Sequence, residues 1–277
     1  MAVLIGVLVA ASFGSGDFLG GFASRRSSTL PVLAIAQVVA LLGALIVAFT
    51  GGGHFSDGAL LLGAIAGLLN VAALGCLYQG LAIGQIGQVA PVAAVVGAVV
   101  PITWGLARGE RPAALTMVGV VLAVVAGALV SSERDERRGP FFGRALPLAL
   151  LAGAGFGTSF ILFSSTAHDS GFWPVLSARI AATLGVGAVV LVSRASLSIP
   201  PVPRRQAVGA GALDVAATTL LLVALRHGLT AVVAPIASLA PGFTVMEAWW
   251  VLRERASRVQ IVGLVVALMG LALIAAG

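Results

Sequence analysis

Lysine is absent from this chain, and charge of either sign is scarce: 9% of its 277 residues are charged, against 59% that are hydrophobic. A soluble domain carries charge on roughly a quarter of its length, so a free-standing soluble fold is excluded and hydrocarbon is the expected solvent. A mean hydropathy of +1.10 agrees. The single cysteine, Cys76, rules out an internal disulfide and reads as a small packed side chain within an apolar run. No G-x-x-x-x-G-K stretch occurs, which argues against direct use of ATP. The three histidines, His54, His168 and His227, fall in or beside loops without ligand spacing, so neither a metal centre nor a bound cofactor is expected. No cluster centred on His, Cys or Ser offers a nucleophile with its base, and an enzyme is therefore not expected. The N-terminus lacks a basic stretch ahead of its apolar run, so a cleaved signal peptide is not expected either.

What is present is arginine, glycine and long apolar runs. All sixteen basic residues are arginine, and the net charge is +6. They cluster between apolar segments, so the basicity reports membrane orientation rather than nucleic-acid binding. Runs long enough to cross a bilayer cover roughly 2–23, 31–50, 58–83, 87–107, 112–131, 145–167, 171–193, 206–227, 229–251 and 258–276. The expectation is an all-α integral membrane protein of ten transmembrane helices, multi-pass in the cell membrane. Arg25, Arg26, Arg134, Arg137, Arg138, Arg144, Arg194, Arg204, Arg205, Arg253, Arg255 and Arg258 fall in loops on one side, against Arg108, Arg111 and Arg226 on the other. The positive-inside rule puts the first set in the cytoplasm and both termini outside.

The chain also repeats itself. "QVAPVAAVV" (Gln88–Val96) returns as "VVAPIASLA" (Val232–Ala240), 144 residues on from Pro91 to Pro235. The same offset lays "LNVAALGCLYQGLAIG" (Leu69–Gly84) on "LDVAATTLLLVALRHG" (Leu213–Gly228), and Glu110–Arg111 on Glu254–Arg255. With a one-residue adjustment "SFGSG" (Ser12–Gly16) meets "GFGTS" (Gly155–Ser159). Two repeats follow, 1–131 and 145–277, joined by a polar linker at 132–144. Five spans each, an odd number, force the halves into opposite orientations, the inverted-repeat architecture of many secondary transporters. Pro91 and Pro235 each remove a backbone hydrogen bond inside a span and are expected to break the helix where it lines a central pathway.

The closing segments "GERP…GVVLAVVAGALV" and "RERAS…GLVVALMGLALI", with the two proline segments and the Glu-Arg joints, resemble the EamA branch of the drug/metabolite transporter superfamily over essentially the whole chain. Phe13 stands where the family usually has a tryptophan. The resemblance implies an inverted-repeat ten-helix bundle working by alternating access, in a family with many exporters of amino acids and other small metabolites. Its best-known bacterial members are thought to keep both termini in the cytoplasm, opposite to the arginine count.

Charge near the bilayer centre costs about 2.5–3.5 kcal/mol on insertion scales, so each such residue is a functional candidate. Arg179 and Asp214 reach similar depth at about 1.5 Å of rise per residue, and an ion pair between them is either a static lock or part of a binding site for an anionic group. Asp17 and Glu247 have two readings: helix-packing or interfacial carboxyls, the latter paired with Arg253 or Arg255 beside Trp249 and Trp250, or protonatable groups that couple transport to protons. Asn70, at the position equivalent to Asp214, Tyr78 and Gln88 are uncharged substrate-binding candidates. Gln37 lies close to where the repeat places Arg179. Such amides also serve as interhelical glue worth about 1 kcal/mol. The expected function is a secondary transporter exporting a small organic metabolite such as an amino acid, possessing a small-molecule substrate and a lipid bilayer as its partners. A monomer suffices for a complete inverted pair, with a homodimer as the alternative. Multidrug efflux and a non-transporting sensor or scaffold are the competing readings; the scarcity of aromatics tells against the first.

Overall fold

Apolar runs of this length can satisfy their own backbone only as helices, and helices are what the computed structural model contains. It describes residues 2–54, 56–84, 86–107, 109, 113–115, 117–119, 121–122, 125–126, 144–166, 168–226, 240–252 and 258–276. In chain order these form α1 (Ala2–Arg26), α2 (Thr29–Gly51), α3 (Asp57–Ile83), α4 (Ile86–Ala107), α5 (Ala145–Ser164), a 3₁₀ turn (His168–Ser170), α6 (Trp173–Ser193), α7 (Pro201–Arg226), α8 (Ala240–Leu252) and α9 (Arg258–Ala276). Among the described residues, six helices are long and apolar enough to cross a membrane: α1, α2, α3, α5, α6 and α7. Their outward faces are apolar too, with Phe49, Leu184, Leu191 and Val192 all exposed, as hydrocarbon solvent demands.

The ends follow local chemistry. α2 stops at a run of glycines, where Gly52 and Gly53 take φ of 69° and 114°, left-handed values that side chains rarely adopt. α6 opens with Pro174 in its first turn and α7 with Pro201, positions that need no N–H donor. α7 starts before the expected residue 206, because prolines and arginines suit a first turn outside the hydrocarbon. Half of the expected fifth span, the linker apart from Arg144, and residues 227–239 with Pro235 lie outside the described residues. The break expected at Pro91 is corrected. α4 runs through it as one helix, since the proline stands only in the second turn and costs a single hydrogen bond.

The packing follows the repeat. Matching α1–α4 to α5–α8, α1 packs on α7 as α5 packs on α3; α2 packs on α7 as α6 packs on α3; α4 packs on α5 as α8 packs on α1; α2 and α6 pack on each other. Individual contacts correspond as well. Ser159 Oγ donates to the Ala66 carbonyl at 2.9 Å, and a Cβ at the matching Gly16 would stand 3.5 Å from the carbonyl of the matching Ala210. Gly67 lies against the backbone of Ala178 as Gly211 lies against that of Ala36. This last correspondence sets the register of α2 on α6 at 142 residues, from Ala36 to Ala178, which makes Gln37 the counterpart of Arg179. α1 and α5 run in opposite senses: Arg25 at the end of α1 donates to Gly84, against which Ala145 at the start of α5 is packed.

Small residues at these crossings let backbones approach where lipid offers no hydrophobic drive to associate. Gly67→Ala would push a methyl into the Ala178 backbone. It is expected to destabilise the protein by about 1–3 kcal/mol. A Cβ at Gly187 meets nothing within 4 Å. Gly187→Ala should leave stability unchanged or raise it by up to about 1 kcal/mol. Thermal unfolding of the two variants in detergent checks the contrast.

Candidate functional site

Three glycine crossings bring the polar residues of the interior to one level. Gly16 of α1 faces the Ala210–Asp214 turn of α7, with a Cβ there 3.8 Å from the Asp214 nitrogen. Ala36 of α2 meets the same turn at Gly211, and Ala178 of α6 meets α3 at Gly67. Asp17, Gln37 and Arg179 each follow one of these contact residues directly, while Asp214 and Asn70 lie one turn beyond Gly211 and Gly67. The repeat thus places its polar residues around the crossings of the two halves.

At this level Arg179 and Asp214 form the ion pair that their depths suggested, with Nη1 to Oδ2 at 2.5 Å and side chains 7% and 18% exposed. Arg179 Nη2 donates to Thr218 Oγ1 at 3.1 Å, and that hydroxyl donates to the Asp214 carbonyl at 2.8 Å. A threonine one turn after the aspartate therefore fixes the guanidinium from a second direction. The sequence reading passed over Thr218, although its i+4 spacing from Asp214 was the signal that could have found it. Asp17 lies within the electrostatic field of Asp214, and the Tyr78 hydroxyl within those of Asp17, Asp214 and Arg179. Among the described residues the Asp17 carboxyl has no hydrogen-bond or ion-pair partner. Tyr78 is fully buried, its ring seated on α1 at Gly20, where any side chain would overlap it.

The remaining candidates separate. Asn70 is half-buried in α3. Gln88 belongs to α4, but its side chain lies outside the described residues. Gln37 is fully buried, and neither its Oε1 nor its Nε2 has a partner among the described residues. Glu247, half-buried on α8, accepts a hydrogen bond from Ser15 Oγ of α1 at 2.5 Å. The arginines proposed for it, Arg253 and Arg255, lie outside the described residues. One turn earlier Thr244 Oγ1 donates to the Gly14 carbonyl at 2.9 Å, so two bonds tie α8 to α1. Trp249 and Trp250 are exposed on the outer surface. No group of three or more His, Cys, Asp or Glu suited to a metal occurs among the described residues.

Chemically the arrangement offers one guanidinium, two carboxylates, one phenol and one free amide inside a bilayer-spanning bundle. Asp214 pairs with Arg179, and among the described residues Asp17 has no cation beside it. Such a set can hydrogen-bond and orient a polar solute, and among the described residues it holds no nucleophile paired with a base.

The sequence profile of the EamA-like transporter family matches residues 1–132 and 143–276. No curated protein is similar enough in sequence to match. A solved crystal structure is similar at a TM-score of 0.67 and 14% identity, covering 98% of this chain and 97% of that one; at this identity the likeness concerns the fold.

Removing one member of a buried ion pair leaves the other uncompensated, at about 3–5 kcal/mol. Arg179→Gln and Asp214→Asn alone should each lower the melting temperature and the yield of monodisperse protein. The double variant converts the pair into the Gln and Asn found at the matching positions 37 and 70, and should recover most of the loss. A double variant no better than the worse single one would show that the two side chains are not coupled.

Proposed function

The chain belongs to the EamA-like transporter family, and from that premise we propose that it is a secondary transporter that exports a small organic metabolite, an amino acid, by alternating access. It is a multi-pass membrane protein and not an enzyme. In this reading ten transmembrane helices form two inverted five-helix repeats, 1–131 and 145–277, with 132–144 as linker, in a bacterial plasma membrane. The exchange-related packing of the helices and the opposite senses of α1 and α5 support the inversion. One copy of the chain supplies both repeats, which favours a functional monomer.

The observation that carries the reading is the Asp17, Arg179 and Asp214 cluster at the crossings of the halves. Ionisable groups at membrane depth are costly and serve substrate or ion pathways. An α-amino acid carries an ammonium and a carboxylate on one carbon. Asp17 takes the ammonium, and Arg179 takes the carboxylate in a bidentate contact as Asp214 gives way. Ground held by Asp214 in one state and by substrate in the other couples occupancy to the movement of α6 and α7. Asp17, which lacks a cation of its own, and Glu247, which holds α8 to α1 through Ser15, are the groups through which protons would drive export.

A cationic-drug pump is the second reading, favoured by an Asp17 without a cation among the described residues, on the same helix as the stacked rings of Phe18 and Phe22, 5.6 Å apart. The two readings part at Arg179, which a simple cation does not need.

A host overproducing the chain, challenged with toxic amino-acid analogues and cationic dyes, tests both. Resistance to the analogues is expected, with efflux reduced about tenfold or more, equivalent to about 1.4 kcal/mol, in both Asp17→Asn and Arg179→Ala. Dye resistance that survives Arg179→Ala would favour the cation pump. Unchanged sensitivity to every compound, with wild-type protein present in the membrane, would count against export and leave a sensor or scaffold.

A further inference from the structure

Gln37 stands apart from the other interior polar residues. It is 1% exposed, and both atoms of its amide lack a partner. The one other buried side-chain atom without a partner among the described residues is Oε1 of the half-buried Gln206, near the start of α7. A buried donor and acceptor left unmade are costly anywhere, and hydrocarbon offers no water to relieve them. The backbone around Gln37 is nevertheless firmly placed: Ala36 is in contact with Gly211 of α7, and the Gln37 carbonyl lies 3.4 Å from the donating Thr183 hydroxyl of α6. The position is held from two sides while its side chain is left open.

Its counterpart in the other half is Arg179, whose head group is held by Asp214 and Thr218. The two repeats therefore present, at matching positions, one paired charged group and one unpaired neutral group. We infer that Gln37 is the specificity-determining residue of the substrate site, and that it selects solutes bearing a hydroxyl or a primary carboxamide. An amide that is at once donor and acceptor is matched by a group that is also both, and hydroxyls and carboxamides are compact neutral groups of that kind. This rests on the amino-acid reading above: Asp17 and Arg179 hold the parts common to all amino acids, and Gln37 meets the part that differs. A site built to hydrogen-bond a substrate group discriminates strongly against the analogue that lacks it, because its own polar atoms are then left unpaired.

The full chain in proteoliposomes, assayed by counterflow with labelled serine against alanine and asparagine against leucine, tests the inference. The wild type should favour serine and asparagine by about tenfold or more, and Gln37→Leu should bring the serine-to-alanine and asparagine-to-leucine flux ratios down to about one. Its melting temperature should stay the same or rise, since no protein partner is lost. A preference absent from the wild type, or one that survives in Gln37→Leu, overturns the inference and leaves the amino-acid reading standing. Gln37→Leu and Gln37→Met both failing to fold, or both melting lower, would identify the amide as glue between helices and overturn it as well. Wild type that moves none of the four overturns both.

Discussion

A pair of helices in hydrocarbon gains little from hiding apolar faces, because lipid tails are as apolar as leucine. Association must come from close contact and from polar groups that find partners nowhere else. The crossings at Gly16, Gly67 and Gly211 supply the first condition, and they occur between the halves rather than within one. The Arg179–Asp214 pair, the Ser15–Glu247 bond and the Ser159 hydroxyl on the Ala66 carbonyl supply the second. Small residues place the backbones, and the polar residues stand where that placement lets them meet. The site is thus a by-product of how the bundle is held together.

Duplication gave two copies of one arrangement, and the copies have diverged where chemistry is at stake. Contacts that need only size and proximity still correspond, such as Gly67 with Ala178 and Gly211 with Ala36. Contacts that carry charge do not: Arg179 and Asp214 in one half correspond to Gln37 and Asn70 in the other. Two like ion pairs would double the desolvation of charge in the bilayer, and removing one of them frees a position for a different task. Asp17 has no acidic counterpart in α5, so the departure from symmetry extends to the helix that touches α3, α7 and α8.

Much of this was legible before any coordinates. Apolar run lengths located α2, α3, α4, α6 and α9 to within a few residues, because solvent change at a bilayer surface ends a run abruptly. The repeat was readable from Pro91 and Pro235, and counting residues from the helix ends put Arg179 and Asp214 at one depth. Harder to read was anything that depends on which helices touch. The bond from Ser15 to Glu247 is one such case, since it needs α8 to lie along α1 and joins residues 232 positions apart. Gln37 was placed near the Arg179 equivalent, yet its unpartnered state depends on the surrounding contacts and has no sequence signature. Pro91 misled for a simpler reason: a proline read as a break within a span stands near the beginning of the folded helix.

Arg25 shows what an end of a helix can do for its neighbour. Its Nε donates to the Leu81 carbonyl and its Nη2 to that of Gly84, each at 2.8 Å, which caps the last turn of α3 from the last turn of α1. Carbonyls at a helix end carry partial negative charge, so a guanidinium fork there is a strong clasp. The clasp lies within the first repeat. In an alternating-access cycle of the kind proposed, the ends of α1 and α3 would therefore travel together at that surface, made one rigid unit by a residue outside the candidate site.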